Sequence, residues 1–158
     1  EYGGVYIDSD VIAIKSYRPL LKYDVTLSRN SEDQLANGMI FAKPRAPFLK
    51  IWHEAFKTYG YWKNGQNTYL FHSVQIPYNL SKIFPHLVHI EEWSLIGPKW
   101  FEYEQLFNGR YSWKDNYCIH VWKSKSTVPD GPERINNLRK HSTLREIIEY
   151  IWNDKAPI

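Results

Sequence analysis

The chain is predicted to be an α/β protein, because strand-like and helix-like segments are mixed along its whole length. Short runs rich in β-branched and aromatic residues, such as Val5–Ile7 and Tyr117–Trp122, are typical of strands. Apolar residues recur at helical spacing from Phe48 onwards and again from Leu144, which predicts two amphipathic helices. With 158 residues, 43% of them apolar, the chain is long enough to bury a sizeable core.

Three strands are predicted in the first part of the chain. The first is Val5–Ile7, which we expect to be buried because all three residues are good strand formers. The second covers Tyr23–Ser28. The third covers Gly38–Ala42, which the chain enters through Asn37-Gly38.

Helices are predicted in the middle and at the end. One begins at Pro47 and ends near Tyr59, with proline in its first turn. Another covers about Thr68–Phe84, where Pro77 is expected to kink or interrupt it because proline has no N–H to donate. The last is predicted to begin with a capping box made by Thr143 and Glu146. The polar, basic stretch 123–141 is predicted to be a mobile loop.

Two carboxylates follow the first strand at positions i and i+2. Because side chains alternate along a strand, Asp8 and Asp10 are expected to project to the same side. Two negative charges at such a short distance repel each other unless a cation lies between them. A hard divalent ion, which prefers oxygen ligands, would remove this repulsion. Gly3 and Gly4 lack Cβ atoms, so that a backbone or a ligand can approach closely. For Asp-x-Asp alone, an acidic turn without metal is the simpler interpretation.

The segment Gly-Gly-Val-Tyr-Ile-Asp-Ser-Asp-Val, residues 3–11, resembles the signature of glycosyltransferases with a DXD sugar-binding region. It is most similar to the family 32 and α1,4-galactosyl/N-acetylglucosaminyltransferase group. Asn37-Gly38 and His120-Val121-Trp122 match two further motifs of that group in the same order. The resemblance implies a GT-A fold, with residues 1–158 as a single partial domain: the DXD strand plus the C-terminal, acceptor-side half. The N-terminal nucleotide-binding half is then expected outside this sequence.

The same resemblance implies a metal site and a donor site. The implied metal ligands are Asp8, Asp10 and His120, and the ion is Mn²⁺ or Mg²⁺; an imidazole ligand favours Mn²⁺. The donor is a UDP-sugar, and the residues implied to bind it are Asp8, Asp10, Gly4, Asn37, Gly38, Trp122 and Lys123. Lys123 and Lys125 are candidates to pair with the diphosphate. The alternatives are a structural histidine, a plain Asn-Gly turn and solvated lysines.

Catalytic residues are indicated less sharply. His72 and Gln75 are candidates to lie near the transferred carbon, with an ordinary helix face as the alternative. Related galactosyltransferases have a Gly-Pro step where this chain has 71–77, which leaves the sugar and the acceptor open. Glu91 and Glu92 are candidate carboxylates or members of a solvated loop. Since the family retains the anomeric configuration, we expect front-face transfer, in which a leaving phosphate oxygen takes the proton from the acceptor hydroxyl.

Composition and charge limit the partners. The net charge of +3 and the lack of a Lys/Arg stripe with interleaved aromatics argue against nucleic acid. The expected partners are a UDP-sugar donor and a glycan or glycolipid acceptor.

No apolar run is as long as a membrane span. The resemblance implies a type II membrane protein in the Golgi lumen, whose anchor would lie outside this sequence. Cys118 is the sole cysteine, which excludes an internal disulfide and a zinc cluster of thiolates.

Two other functions compete with transfer. Phosphatases of the haloacid dehalogenase type also place Asp-x-Asp after an apolar strand. They require Thr or Val where this chain has Ile12, and a later acidic motif that is not evident here. The other competitor is a catalytically inactive carbohydrate-binding module of transferase-like sequence, which the 16% aromatic content permits.

Overall fold

The computed structural model describes residues 1–60, 68–125, 138 and 140–153. This part of the protein is a mixed α/β fold, which confirms the predicted class. The chain divides into two compact units. The first unit comprises Glu1–Asp8 and Tyr17–Glu92, and the second comprises Ser9–Ser16 and Trp93–Ile158.

Strands and helices alternate irregularly along the described chain. The strands are β1 (Gly4–Ile7), β2 (Val11–Ala13), β3 (Val25–Ser31), β4 (Gln34–Ala42), β5 (His89–Glu91) and β6 (Cys118–His120). The α-helices are α1 (Pro47–Ala55), α2 (Thr68–Leu70), α3 (Ile76–Ile83), α4 (Glu104–Phe107) and α5 (Thr143–Trp152). Short 3-10 turns lie at Arg18–Leu20, Phe56–Thr58 and Pro85–Leu87, and a π-helical turn covers Phe71–Gln75.

The sheet of the first unit has the strand order β1-β4-β3-β5. β4 runs antiparallel to both β1 and β3, whereas β5 runs parallel to β3. The first four residues of β3 are all buried, beginning with Val25. Such continuous burial is typical of a strand that is covered on both faces.

A hydrophobic core lies against this sheet. Phe48 and Trp52 are one helical turn apart on α1, so both reach the core, and their ring centroids are 6.5 Å apart. The buried members of the cluster are Val25, Leu27, Leu35, Ala46, Phe48, Trp52 and Val88. The Trp52 indole N–H also donates to the carbonyl of His72, at 2.8 Å, which ties α1 to the π-helical turn.

The π-helical turn lies where the sequence predicts an interruption. In a regular α-helix the N–H of residue 77 would bond the carbonyl of residue 73, but Pro77 has no N–H. The chain instead widens, and Ile76 donates from its backbone to Phe71. The predicted helix over Thr68–Phe84 is therefore present as α2, the π turn and α3.

The second unit is built on an antiparallel pair, β2 with β6, in which Val11 lies opposite His120. Its own core cluster consists of Ile14, Leu106, Trp113, Ile119, Leu144 and Ile147. Helix α5 is capped by Ser142, whose hydroxyl accepts from the Arg145 N–H at 3.3 Å. The predicted capping box at Thr143 was wrong by one residue. The Thr143 hydroxyl instead accepts from the backbone N–H of Tyr111 and donates to the carbonyl of Gly109.

The expected burial of the first strand was wrong, and the strand-alternation argument for Asp8 and Asp10 does not apply. β1 is exposed, with Val5, Tyr6 and Ile7 at 41%, 55% and 40% of full accessibility, because it is the edge strand of its sheet. The alternation argument for Asp8 and Asp10 also fails, since β1 ends at Ile7 and β2 begins at Val11. Both carboxylates therefore lie in the connection between two strands.

The alternative considered for Asn37-Gly38, a plain turn, does not describe these residues. Asn37 and Gly38 lie inside β4, which begins at Gln34 and is hydrogen-bonded on both sides. Of the predicted loop 123–141, the structure describes only 123–125, 138 and 140–141, and the rest lies outside the described residues. Among the described helices, none has the length and apolar character needed to cross a membrane.

Replacement of Gly3 is expected to destabilise the protein more than replacement of Gly60, although the two glycines have similar backbone geometry. Gly3 (φ +70°) and Gly60 (φ +87°) both have left-handed backbones. A Cβ at Gly3 would lie 2.6 Å from the Ala42 carbonyl oxygen, whereas a Cβ at Gly60 meets no described atom within 4 Å. We predict that Gly60→Ala lowers the free energy of unfolding by about 1 kcal/mol and Gly3→Ala by about 2–4 kcal/mol. Urea denaturation measures both, and equal losses would contradict this account.

Candidate metal centre

Asp10 is held at the start of β2 by the end of β6. Its backbone carbonyl accepts a hydrogen bond from the Val121 N–H at 2.8 Å, one step beyond the Val11–His120 pair. Since the two strands pair in register, His120 lies next to Asp10, although they are separated by 110 residues in sequence. The position of Asp10 is therefore set by the strand pairing of the second unit.

Both oxygens of the Asp10 carboxylate contact groups near the end of β6. Oδ1 lies 3.1 Å from Nε2 of His120, and Oδ2 accepts from the backbone N–H of Lys123 at 2.8 Å. The His120 side chain is 8% exposed and that of Asp10 is 19% exposed. A carboxylate and an imidazole so placed either bond each other or share a cation.

The distance between the two groups fits a shared metal ion. Two adjacent ligands of an octahedral ion lie about 3 Å apart when each bond is about 2.1 Å long. The 3.1 Å between Oδ1 of Asp10 and Nε2 of His120 meets this requirement without rearrangement of the backbone. A carboxylate with an imidazole suits Mn²⁺ better than Mg²⁺, which prefers oxygen ligands and water.

Trp122 fixes the segment that holds Asp10. Its ring stacks on the His120 ring, with centroids 4.0 Å apart and planes at 23°. Its indole N–H donates to the Pro98 carbonyl at 2.9 Å. Trp122 has a left-handed backbone (φ +56°), which is unusual for a bulky residue, and the next N–H along the chain, that of Lys123, bonds Asp10. Such a conformation persists only where the surrounding contacts enforce it.

Asp8 belongs to the first unit and is fixed there separately. Its backbone N–H donates to the Gly38 carbonyl at 2.9 Å, which extends the β1–β4 ladder by one bond. Its carboxylate accepts a hydrogen bond from the Tyr6 hydroxyl at 2.6 Å. This bond to Asp8, together with the negative charge, raises the pKa of Tyr6 above its usual value of 10.0.

The other residues expected to bind the donor have varied settings in the first unit. Gly4 has a backbone φ of +119°, and a Cβ there would meet no described atom within 4 Å, so its surface is open. Gly3, in contrast, is approached by backbone atoms of Ala42 and Pro44. The Asn37 amide donates to the Tyr69 hydroxyl at 3.1 Å. Gly38 uses its carbonyl to hold Asp8.

His72 and Gln75 both form contacts inside the first unit. His72 is fully buried; its Nδ1 lies 2.9 Å from the Thr68 carbonyl and its Nε2 lies 3.0 Å from the Thr58 hydroxyl. Gln75 is half-buried and donates to the Asp33 carbonyl at 3.1 Å. The structural role considered from the sequence accounts for these contacts, and a place near the transferred carbon stays a prediction for both.

The remaining charged candidates are paired. Glu92 forms a bidentate pair with Arg29, at 2.6 and 3.1 Å, and this contact holds the pKa of the Glu92 carboxyl below its usual value. Oε1 of Glu91 lies 2.9 Å from Nε2 of His89. The ammonium of Lys125 lies 5.9 Å from the ring centroid of Trp100. An ionised, paired Glu92 is poorly suited to act as a general acid.

Two contributors were missed from the sequence. Tyr6 precedes Asp8 by two residues, a spacing that puts both on one strand face, and this signal was available. The backbone N–H of Lys123 was not foreseeable, because it depends on the left-handed conformation of Trp122.

Comparison with known proteins gives one distant likeness. No family model matches the chain, and no solved structure matches it. Among curated proteins, "Glucan organizing enzyme 1" of Cryptococcus neoformans var. grubii is 27% identical over 140 residues. The match covers 77% of this chain and 36% of the relative, so this chain spans little more than a third of that protein's length.

Removing the Asp10 carboxylate is expected to destabilise the second unit. Asp10→Ala leaves the Lys123 N–H and His120 without their acceptor, which we predict lowers the free energy of unfolding by about 1–3 kcal/mol. Asp10→Asn keeps one carbonyl oxygen and should lose less. Urea denaturation of both variants measures the difference in their free energies of unfolding. A smaller loss for the alanine variant would contradict the contacts described above.

The Tyr6–Asp8 bond is expected to be visible in the pH dependence of Tyr6. In Asp8→Asn the negative charge is gone, so the pKa of Tyr6 should fall towards 10.0. Because the folded-state pKa is raised, the stabilisation from this pair is present at neutral pH and is lost as the pH rises above 10.0. An NMR titration with ring-labelled tyrosine measures the shift, and Asp24→Asn is the control that should leave Tyr6 unchanged. An unchanged Tyr6 in Asp8→Asn would contradict the bond.

Proposed function

We propose that this chain belongs to a metal-dependent glycosyltransferase. The enzyme transfers a hexose or N-acetylhexosamine from a UDP-sugar to a glycan or glycolipid acceptor, with retention of configuration. In this proposal the chain supplies the DXD segment and the acceptor-side half of a GT-A fold, and the protein works in the Golgi lumen. The fold type and the location rest on the motif resemblance alone.

The contact between Asp10 and His120 is the observation that carries the proposal. Asp10 and His120 belong to two different motifs of the resemblance, which more than 100 residues of sequence separate. The structure brings Oδ1 of Asp10 within 3.1 Å of Nε2 of His120, in a largely buried setting. Two separate motifs that meet with ligand chemistry support a shared role at one site.

Asp8 is proposed as the further ligand. It precedes Asp10 by two residues, so their Cα atoms lie at most about 7 Å apart whatever the local conformation. We propose that Asp8, Asp10 and His120 hold Mn²⁺, or Mg²⁺ in its place. When bound, the ion would supply Lewis acidity that neutralises the charge developing on the UDP diphosphate.

Residues near the proposed ion are proposed to bind the donor. The Tyr6 hydroxyl bonds only Oδ1 of Asp8, so the other carboxylate oxygen can bind a cation while Tyr6 holds the side chain in place. Gly4 leaves room for the donor, and the Lys123 ammonium balances the diphosphate charge. The acceptor hydroxyl attacks the anomeric carbon on the face from which UDP departs. The bond from that carbon to the phosphate oxygen breaks, the new glycosidic bond forms, and the phosphate oxygen takes the proton.

The cryptococcal relative bears on the acceptor only. Its name refers to glucan, which agrees with a glycan acceptor. The name mentions neither a nucleotide sugar nor a metal, so those parts of the proposal rest on the residues described above.

One observation favours a second candidate, a carbohydrate-binding module without catalytic activity. Both oxygens of Asp10 already have partners within the second unit, so the carboxylate is satisfied without an ion. In that case Asp10 is a structural residue that fastens the end of β6. The two candidates differ in whether binding of UDP requires a metal.

Calorimetric titration of UDP, with and without Mn²⁺, separates the two candidates. It should be run on the longest natural form of the protein that contains this sequence. We predict that UDP binds only with Mn²⁺ and that binding falls at least about tenfold in Asp10→Ala, because one ligand is lost. Asp10→Asn reports the same ligand loss with less damage to folding. Asp115→Ala is the matched control, since Asp115 is a fully exposed carboxylate in the same unit.

Either of two results would reject the transferase. UDP binding that is the same with and without Mn²⁺ would remove the metal from the proposal. No UDP binding to a well-folded protein would leave the carbohydrate-binding module as the better description. If binding is confirmed, release of UDP from UDP-hexoses and UDP-N-acetylhexosamines identifies the donor.

A further inference from the structure

Two adjacent aromatic rings are exposed in the second unit. Trp100 is 42% exposed and Phe101 is 55% exposed. Their ring centroids are 5.5 Å apart and their planes are perpendicular. Large exposed apolar side chains that form a contiguous patch commonly mark a binding surface. The patch therefore consists of two partly exposed rings that contact each other edge to face.

Lysine ammonium groups lie beside these rings. Nζ of Lys99 is 5.8 Å from the ring centroid of Phe101 and 4.4 Å from that of Trp93. Nζ of Lys125 is 5.9 Å from the ring centroid of Trp100. Each ammonium carries three N–H donors, which a single contact with a ring face does not use up. The patch thus combines exposed ring surface with hydrogen-bond donors that lie over the rings.

The loop that presents the patch is fixed at its base. Gly97 donates from its backbone to the Trp93 carbonyl at 2.9 Å. A Cβ at Gly97 would overlap the Tyr111 hydroxyl and the Asn116 amide, so a larger residue there would displace these two side chains. The Asn116 amide also bonds the Tyr111 hydroxyl at 3.1 Å. A surface held this way loses little conformational entropy when it binds a ligand.

The same loop is hydrogen-bonded to the segment that carries the proposed metal ligand His120. Gly97 accepts from the His120 N–H at 3.2 Å, and Pro98 accepts from the indole of Trp122 at 2.9 Å. Lys125 donates from its backbone to the Trp122 carbonyl at 2.8 Å. Trp100 and Phe101 follow Pro98 directly, so the patch and the proposed reaction site share one framework.

We propose that Trp100 and Phe101 form the platform that binds the acceptor, by stacking against a neutral pyranose ring of a glycan. This inference rests on the proposed function and names the acceptor surface of the same enzyme. The C–H bonds on one face of a pyranose are slightly positive and pack on the negative face of an aromatic ring. Lys99 and Lys125 donate hydrogen bonds to hydroxyl oxygens at the edge of the sugar.

A lipid bilayer suits the patch less well than a sugar. A hydrocarbon interior provides no acceptors for the ammonium groups of Lys99 and Lys125, which lie within 6 Å of the ring centroids and would be drawn in with them. A sugar offers C–H faces and oxygen acceptors a few ångströms apart, which matches the spacing of rings and ammonium groups.

Saccharide binding in the absence of UDP and metal tests the platform. The probes are neutral hexasaccharides of glucose, galactose and mannose, titrated into the longest natural form of the protein and followed by saturation-transfer NMR. We expect at least one probe to bind and Trp100→Ala to weaken it about tenfold or more. Trp100→Phe, which keeps a ring, should recover part of the loss. Trp152→Ala is the matched control, because Trp152 is 82% exposed in the same unit but has no described ring contact.

Three results would overturn the platform: no binding of any probe to the parent protein, equal binding by Trp100→Ala, or an equal loss in Trp152→Ala. Binding to vesicles of phosphatidylcholine and phosphatidylserine that Trp100→Ala abolishes, with no effect on saccharides, would identify a membrane surface instead. Circular dichroism verifies that the variants are folded.

This test can fail independently of the proposed function. Metal-dependent UDP binding without saccharide binding would retain the transferase and reject the platform. Saccharide binding through Trp100 without UDP binding would retain the platform and reject the transferase in favour of the binding module.

Discussion

The pairing of β2 with β6 is the interaction on which the second unit depends. It brings an early segment, Ser9–Ser16, against residues that follow it by more than a hundred positions, and Ile119 of β6 is fully buried in the core. The Asp10 carboxylate closes the same pairing by bonding the Lys123 N–H. Asp10 therefore fastens the strand pairing through Oδ2, while Oδ1 faces His120.

Local sequence patterns predicted many of the helices and strands. The helix beginning at Pro47 and the interruption before Pro77 follow from the missing N–H of proline, which acts in any context. The strands around β3 and β6 follow from their composition. The predictions that were wrong depend on which neighbouring segments pack against a given segment. Val5–Ile7 has strand-forming residues, yet nothing in three residues reveals whether a neighbour will cover them, and here β1 lies at the sheet edge.

The candidate site shows the same division between composition and context. Asp8 and Asp10 were predicted from their residue type and spacing, and His120 from the His-Val-Trp motif of the resembling family. Their fixing contacts depend on backbone groups, such as the Gly38 carbonyl and the Lys123 N–H, which every residue possesses and no sequence pattern singles out. Asn37 and Gly38 show the same effect: Asn-Gly favours turns, but here it lies inside β4, at the irregularity where the pairing with β3 passes from Ala36 to Phe41.

The discontinuous second unit has a consequence for synthesis on the ribosome. Ser9–Ser16 is made early, but its strand partner Cys118–His120 emerges only after the whole of Tyr17–Glu92. The first unit has its own core and can collapse while β2 still lacks its neighbour. Pairing across so long a loop is slow, because closure entropy must be overcome first. A nascent chain stopped before Cys118 would thus expose an unpaired β2 and lack the histidine, leaving it open to chaperones and proteases.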